Sequence, residues 1–270
     1  MTRIASAAVL LAVLFATLLW APAWATVALA AIFAALAAGE LALIAQGAAG
    51  NVSPWFLGAA AAIVCFAFVW QVDSEVLGGA DLGVVLLAAV LAAGSLTLAG
   101  GPPSNTTIAR AGIMLMGPLY TGLPLGAVAS IRVTSGAGQV LLLILIVAAS
   151  DSAQYYTGRM FGRHKLAPAV SPAKTVEGAI GGLVFATIAG AVAGPRLSHI
   201  ESLTPLVGAL VGLFVAAFGI VGDLFESLLK RSAGVKDSSN LIPGHGGVLD
   251  RLDSYLFAAP CYYIVLAWLA

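Results

Sequence analysis

Charge is scarce in this chain. Charged side chains make up 9% of its 270 residues, against 61% hydrophobic residues. Soluble domains carry about 25% charged residues, so a soluble fold of this length would leave its surface almost bare, a difficulty that a bilayer removes. Neither sign dominates: 12 Lys and Arg balance 12 Asp and Glu, which excludes the strongly basic face of a nucleic-acid binder. Cysteine is limited to Cys65 and Cys261. Both sit in apolar stretches with no C-x-x-C spacing and no neighbouring His, so they read as packed thiols rather than a disulfide framework or a metal site.

What the chain has instead is long apolar runs. A spanning helix needs about 20 mostly apolar residues, and nine segments qualify: 4–21, 24–45, 55–72, 82–100, 107–130, 138–158, 176–195, 204–229 and 252–270. The expected fold is all-α, a polytopic integral membrane protein of about nine transmembrane helices with a polar catalytic cavity facing the cytoplasm. The first run follows Arg3 and precedes Ala21-Pro22-Ala23, as in a signal peptide, but its length favours a first transmembrane helix. With the N-terminus placed in the cytoplasm, Arg3, Arg110, Arg159, Arg163, Lys165, Lys174, Lys230, Arg231, Lys236 and Arg251 fall on that side. Arg132 and Arg196 fall outside, with the loop of Asp73, Glu75 and Asp81. That bias follows the positive-inside rule and suits a bacterial inner (cytoplasmic) membrane. The fifth run holds Pro118 and Pro124 among Gly112, Gly117, Gly122 and Gly126, which predicts a kinked or broken span. Two regions follow: 1–135, a scaffold of transmembrane helices with candidate dimer contacts, and 136–270, a catalytic transmembrane domain.

The chemistry gathers in the second region. Asp223, Glu226 and Lys230 share a helical face by i, i+3, i+7 spacing. Carboxylates one turn apart repel unless a cation lies between them, and Mg²⁺ takes carboxylate oxygens while keeping several waters. Pairing with Lys230 and Arg231 as a helix-end ion network is the plainer reading. Downstream, Pro243-Gly244-His245-Gly246-Gly247 precedes Asp250 and Asp253, spaced i, i+3 at the start of the ninth span. Glycines let the backbone turn tightly and approach a ligand, and successive N–H groups in such a loop can cradle phosphate. His245 reads either as a donor to phosphate or as part of the loop's structure, and Asp253 either as a site residue or as a helix N-terminal charge. Lys230, Arg231, Lys236 and Arg251 suit phosphate contact for some and headgroup anchoring for others. A further cluster begins at Asp151, which shares a face with Tyr155 and Gly158. Ser171-Pro-x-Lys-Thr-x-Glu177 reads as a helix start, putting Lys174 and Thr175 at an N-terminal anion site or, more simply, in a capped helix with an anchoring lysine.

The run from Ser227 through Lys230-Arg231, Lys236-Asp237, Pro243-x-His245-Gly246-Gly247 and Asp250-Arg251-x-Asp253 resembles the signature of the phosphatidate cytidylyltransferases, the CDP-diacylglycerol synthases, with every position filled. Ser171-Pro-x-Lys174-Thr175-x-Glu177-Gly178 and Asp151…Tyr155…Gly158…Gly162 are also similar to that family. The resemblance covers about 150 to 270, and the earlier residues share only their hydrophobic spans. It implies transfer of CMP from CTP to phosphatidate, dependent on Mg²⁺, with Asp223 and Asp250 as metal ligands. A two-cation site with a monovalent ion such as K⁺ is compatible with it. In this picture Glu226, Asp237 and Asp253 orient cations or lysines, while Lys174, Lys230, Arg231, Lys236 and Arg251 bind substrate phosphates. Ser171 and Thr175 donate to phosphate, and Gly246 and Gly247 admit the backbone. Asn240 and Gln154 are candidates for reading cytosine. The implied partners are CTP, phosphatidate, membrane lipids and a second copy of the chain, with no nucleic acid. The competing readings are a CTP-dependent enzyme with an isoprenoid acceptor and, from another class, a transporter, which would need matching broken helices in two halves.

Overall fold

The apolar runs fold as helices because a bilayer offers the backbone no other hydrogen-bond partners. The computed structural model describes residues 2–72 and 82–269, so Asp73, Glu75 and Asp81 lie outside the described residues. In chain order the elements are α1 (Thr2–Leu19), α2 (Ala23–Ala49), α3 (Pro54–Val72), α4 (Leu82–Ala99), α5 (Thr107–Ser135) and α6 (Ala137–Phe161). They continue with β1 (Lys165–Ala167), β2 (Ser171–Thr175), α7 (Val176–Leu197), α8 (Pro205–Ser232), α9 (Leu249–Leu252) and α10 (Tyr255–Leu269). Among the described residues, eight helices are long and apolar enough to cross a membrane, the last counted as Leu249–Leu269, and Ala8–Leu19 is a shorter apolar helix. The protein is an all-α polytopic membrane protein.

The chain forms two compact units. One comprises Met1–Thr134 with Ser232–Leu252, the other Ser135–Arg231 with Asp253–Ala270. The glycine-rich segment, grouped with the catalytic half on sequence grounds, thus packs in the first unit.

Within the first unit, of the kinked or broken span expected for α5, the break is absent. The element is a single continuous helix with both prolines inside it. Each proline removes one donor, but α5 is buried along much of its length, and the Thr121 hydroxyl donates to the Gly117 carbonyl at 3.0 Å. Packing against neighbouring helices keeps a proline-containing span intact. The glycines serve close packing on α3: a Cβ on Gly122 would stand 2.6 Å from the Ala61 carbonyl oxygen. Two arginines finish helices in this unit. Arg110 donates to the carbonyls of Ala49 (3.3 Å) and Gly100 (3.0 Å), and Arg132 to those of Leu18 (3.5 Å) and Ala21 (3.4 Å). These lie at the C-terminal ends of α2, α4 and α1, where carbonyls lack helical partners.

Within the second unit, small residues set how closely α7 and α8 approach. A Cβ on Gly208 would strike the Gly190 carbonyl, and one on Gly212 the Ala186 carbonyl. Small residues at such crossings replace the hydrophobic drive that lipid removes. Gly208→Val is therefore expected to destabilise the protein by roughly 1–3 kcal/mol, read as a lower thermal midpoint in detergent beside an unchanged midpoint for Gly94→Ala, whose added Cβ meets nothing within 4 Å.

The hairpin corrects a second expectation. Ser171–Thr175 is not the first turn of a helix but strand β2, antiparallel to β1 with Lys165 opposite Thr175 and Ala167 opposite Ser171. The helix begins at Val176, with Thr175 as its N-cap. Pro172 sits in the strand, and Lys174 stands outside the helix.

Candidate active site

The glycine-rich segment of the first unit is built on two buried carboxylates. Ile242 N–H donates to the Gly246 carbonyl (2.8 Å) and His245 N–H to the Ile242 carbonyl (2.9 Å), closing a tight turn around Pro243-Gly244-His245. Gly244 and Gly246 have φ of 76° and 79°, a left-handed backbone that L side chains rarely adopt. The Asp250 Oδ2 accepts from Ser238 N–H (2.9 Å) and Gly247 N–H (2.8 Å), and lies 2.9 Å from the Ser238 hydroxyl oxygen. Val248 and Leu249 N–H point to a different acid, Glu40 of α2, at 3.0 and 2.8 Å. The three successive N–H groups of Gly247, Val248 and Leu249 are thus engaged by the protein's own carboxylates, Gly247 being a residue of the loop expected from sequence to cradle phosphate. Gly247 is required by this arrangement, since a Cβ there would strike the Ser238 hydroxyl and the Glu40 carboxylate. Asp250 is buried in the single turn of α9, and His245 is half-buried in the loop. Lys236, Asp237, Asn240 and Arg251 are exposed around them.

The second unit carries a separate acid–base cluster. Lys174 on β2 forms an ion pair with Asp223 Oδ2 on α8, and the Ser227 hydroxyl approaches Asp223 Oδ1 at 3.4 Å. One turn on, Glu226, fully buried, pairs with Lys230 at 2.6 Å. The i, i+3, i+7 face is therefore present, but its acids take different bases. Glu226 follows the plainer helix-end pairing, and Asp223 is drawn to the hairpin. Asp253, in the turn between α9 and α10, lies within electrostatic reach of Asp223, Glu226 and Asp151, and Asp151 within reach of Asp223 and Lys174. The i, i+3 pair of Asp250 and Asp253 is thus not carried on one helix, since α9 ends between them and they belong to different units. Gln154 donates to Asp151 Oδ1 at 3.1 Å, and Arg159 to the Tyr155 hydroxyl at 3.2 Å.

The hairpin is tied down at both ends. Arg231 Nε donates to the Val170 carbonyl at 3.4 Å. Glu177 accepts from Arg163 N–H at 3.0 Å and meets His164 Nδ1 at 2.6 Å. Gly158 of α6 faces Thr175, whose Oγ1 would stand 2.9 Å from a Cβ placed there. That hydroxyl accepts from Gly178 N–H at 3.1 Å. Thr175→Val should lose the cap at a cost of about 1 kcal/mol, visible as a lower thermal midpoint, whereas Thr175→Ser should retain it. Ser171 lies half-buried at the start of β2.

Sequence reasoning missed Glu40 and the serines that face it. The Ser238 and Ser239 hydroxyls donate to Glu40 Oε2 and Oε1 at 2.9 and 2.7 Å. The signal was present: Glu40 is the first acidic residue in the chain and lies in an apolar run, where an ionisable group marks a site.

Long apolar helices define a polytopic membrane protein, with a cluster of buried carboxylates in the first unit and ion pairs in the second. A profile described as the cytidylyltransferase family matches residues 1–269. The chain belongs to that family, and the match extends through the first half, where sequence motifs were silent. It is 42% identical over 137 residues to the uncharacterized protein YnbB of Escherichia coli (strain K12), covering 51% of this chain and 45% of that one. It is 40% identical over 167 residues to the phosphatidate cytidylyltransferase of Bacillus subtilis (strain 168), covering 60% of each. It is also 45% identical over 130 residues to the phosphatidate cytidylyltransferase of Haemophilus influenzae (strain ATCC 51907 / DSM 11121 / KW20 / Rd), covering 46% of this chain and 43% of that one. The chain thus spans about half the length of the curated relatives it matches.

Proposed function

We propose that this protein transfers CMP from CTP to phosphatidate, giving CDP-diacylglycerol and pyrophosphate. A phosphate oxygen of phosphatidate forms the new bond to the α-phosphorus of CTP as the bond to the β-phosphate oxygen breaks. The lipid phosphate is already ionised at neutral pH, so the step needs alignment and charge neutralisation rather than a protein base. The observation that carries the reading is the unbroken run from Ser227 to Asp253, and the similarity to relatives named for this activity supports it. The basic side chains Lys174, Lys230, Arg231, Lys236 and Arg251 support it, since cationic donors are what binds phosphate.

The donor chemistry fits a hard cation. Each unit by itself offers carboxylate oxygens, Asp223 and Glu226 in the second and Asp250 in the first. Mg²⁺ is usually held by one or two carboxylates with waters and substrate phosphates. Bound there, Mg²⁺ would neutralise phosphate charge and stabilise the departing pyrophosphate. The arginine and lysine bias supports a cytoplasm-facing site in a bacterial inner membrane, and the small-residue helices support a homodimer.

Pyrophosphate release by purified protein tests the reading. Turnover is expected to need CTP, phosphatidate and Mg²⁺ together and to stop on chelation. Turnover with a polyprenyl phosphate but not phosphatidate would move the activity to an isoprenoid acceptor, and no turnover with any acceptor would overturn it.

A further inference from the structure

We infer that Glu40 is a positioning residue that fixes the glycine-rich loop and, through it, the Asp250 carboxylate; the consequence for turnover rests on the activity proposed above. Glu40 stands within α2, 5% exposed, and it is the only acidic side chain before residue 73. An isolated carboxylate in a spanning helix is costly unless it is fully satisfied. Four donors satisfy this one, and all come from a segment about 200 residues later. Oε1 accepts from Ser239 Oγ and Val248 N–H, while Oε2 accepts from Ser238 Oγ and Leu249 N–H.

The four donors come from both limbs of the loop. Ser238 and Ser239 precede the Pro243–Gly247 turn, and Val248 and Leu249 follow it. One carboxylate therefore clamps the two limbs together. Ser238 links the clamp to the site: its hydroxyl lies 2.9 Å from Glu40 Oε2 and 2.9 Å from Asp250 Oδ2, while its N–H also donates to Asp250. Glu40 holds the loop without being placed to touch substrate, so its role is exerted through Asp250 and the exposed loop residues Lys236 and Arg251.

Glu40→Gln distinguishes this role from simple packing. The amide keeps the shape but replaces one acceptor oxygen with an NH₂ group. A serine hydroxyl can rotate to accept from it, but the backbone N–H of Val248 or Leu249 cannot. Losing hydrogen bonds to a charged group in this way predicts a kcat lower by roughly 30-fold. The Mg²⁺ concentration for half-maximal rate should rise while the KM for phosphatidate stays within about twofold. Amide exchange at Val248 and Leu249 should quicken by at least about tenfold. Ser239→Ala, which removes one donor to Glu40 and the acceptor of Leu241 N–H but leaves Asp250 untouched, should move the same readouts by about two- to fivefold. Wild-type kcat, Mg²⁺ dependence and exchange in folded Glu40→Gln would overturn the inference, as would a thermal shift alone with all three unchanged. If Glu40→Gln does not fold, Ser239→Ala decides by the same readouts. If the wild-type protein turns over no CTP, the proposed activity fails, yet the exchange comparison still decides whether Glu40 holds the loop.

Discussion

Asp250→Asn is expected to lower pyrophosphate release by about 10²–10³-fold while the protein stays folded. The substitution is nearly isosteric. The asparagine carbonyl can occupy the place of Oδ2 and accept from Ser238 and Gly247 as the carboxylate does now. The loop therefore keeps its anchor and loses its negative charge. If Asp250 serves the cation, that charge is the part that matters, and raising Mg²⁺ should recover only a fraction of the rate. Full turnover in Asp250→Asn at wild-type Mg²⁺ would place the cation-holding charge elsewhere. Asp250→Ala complements the measurement: it removes charge and anchor together, so its thermal midpoint should drop where that of Asp250→Asn holds.

Lys230→Met should give the largest loss of stability among the single changes considered. Glu226 is fully buried, and its ion pair with Lys230 is 2.6 Å long. Removing the lysine leaves a carboxylate in low dielectric, at a cost of about 3–5 kcal/mol. Adding Glu226→Gln removes the stranded charge, so the double variant should recover much of the lost thermal midpoint. Both variants should be slow in pyrophosphate release, because Lys230 is also a proposed phosphate contact. Equal midpoints for the single and double variants would show that the pair is not what stabilises this end of α8.

Most spans were legible as apolar runs because the bilayer imposes one local rule on every segment. The exceptions have non-local causes. Nothing in Ser171–Thr175 shows that Lys165–Ala167 will fold back onto it, and without that partner the proline and glutamate read as a helix start. Pro118 and Pro124 argue for a break by local rules, and the burial of α5 overrides them. Asp223 and Glu226 were visible as one helical face, and pairing with Lys230 was among the readings, but the hairpin partner of Asp223 was not. Lys174 reaches Asp223 from another element, and Glu226 settles on Lys230 within its own helix. The loop glycines were noticed and their use was not: Gly247 makes room for Glu40 and Ser238 rather than only for a ligand.

The clamp on α2 also sets a timetable for synthesis. Glu40 and Ser238 are separated by 198 residues, and a ribosome adding about 5–20 residues per second needs roughly 10–40 s to cover that distance. For that interval α2 holds a carboxylate with none of these four donors yet made. The first unit closes only after α6, the hairpin, α7 and α8 have emerged, so its completion comes late in the sequence, with only Asp253–Ala270 of the second unit still to follow. A chain cut before residue 238 would leave a half-built scaffold with a bare acid in its second helix, the kind of defect a membrane quality-control protease is suited to find.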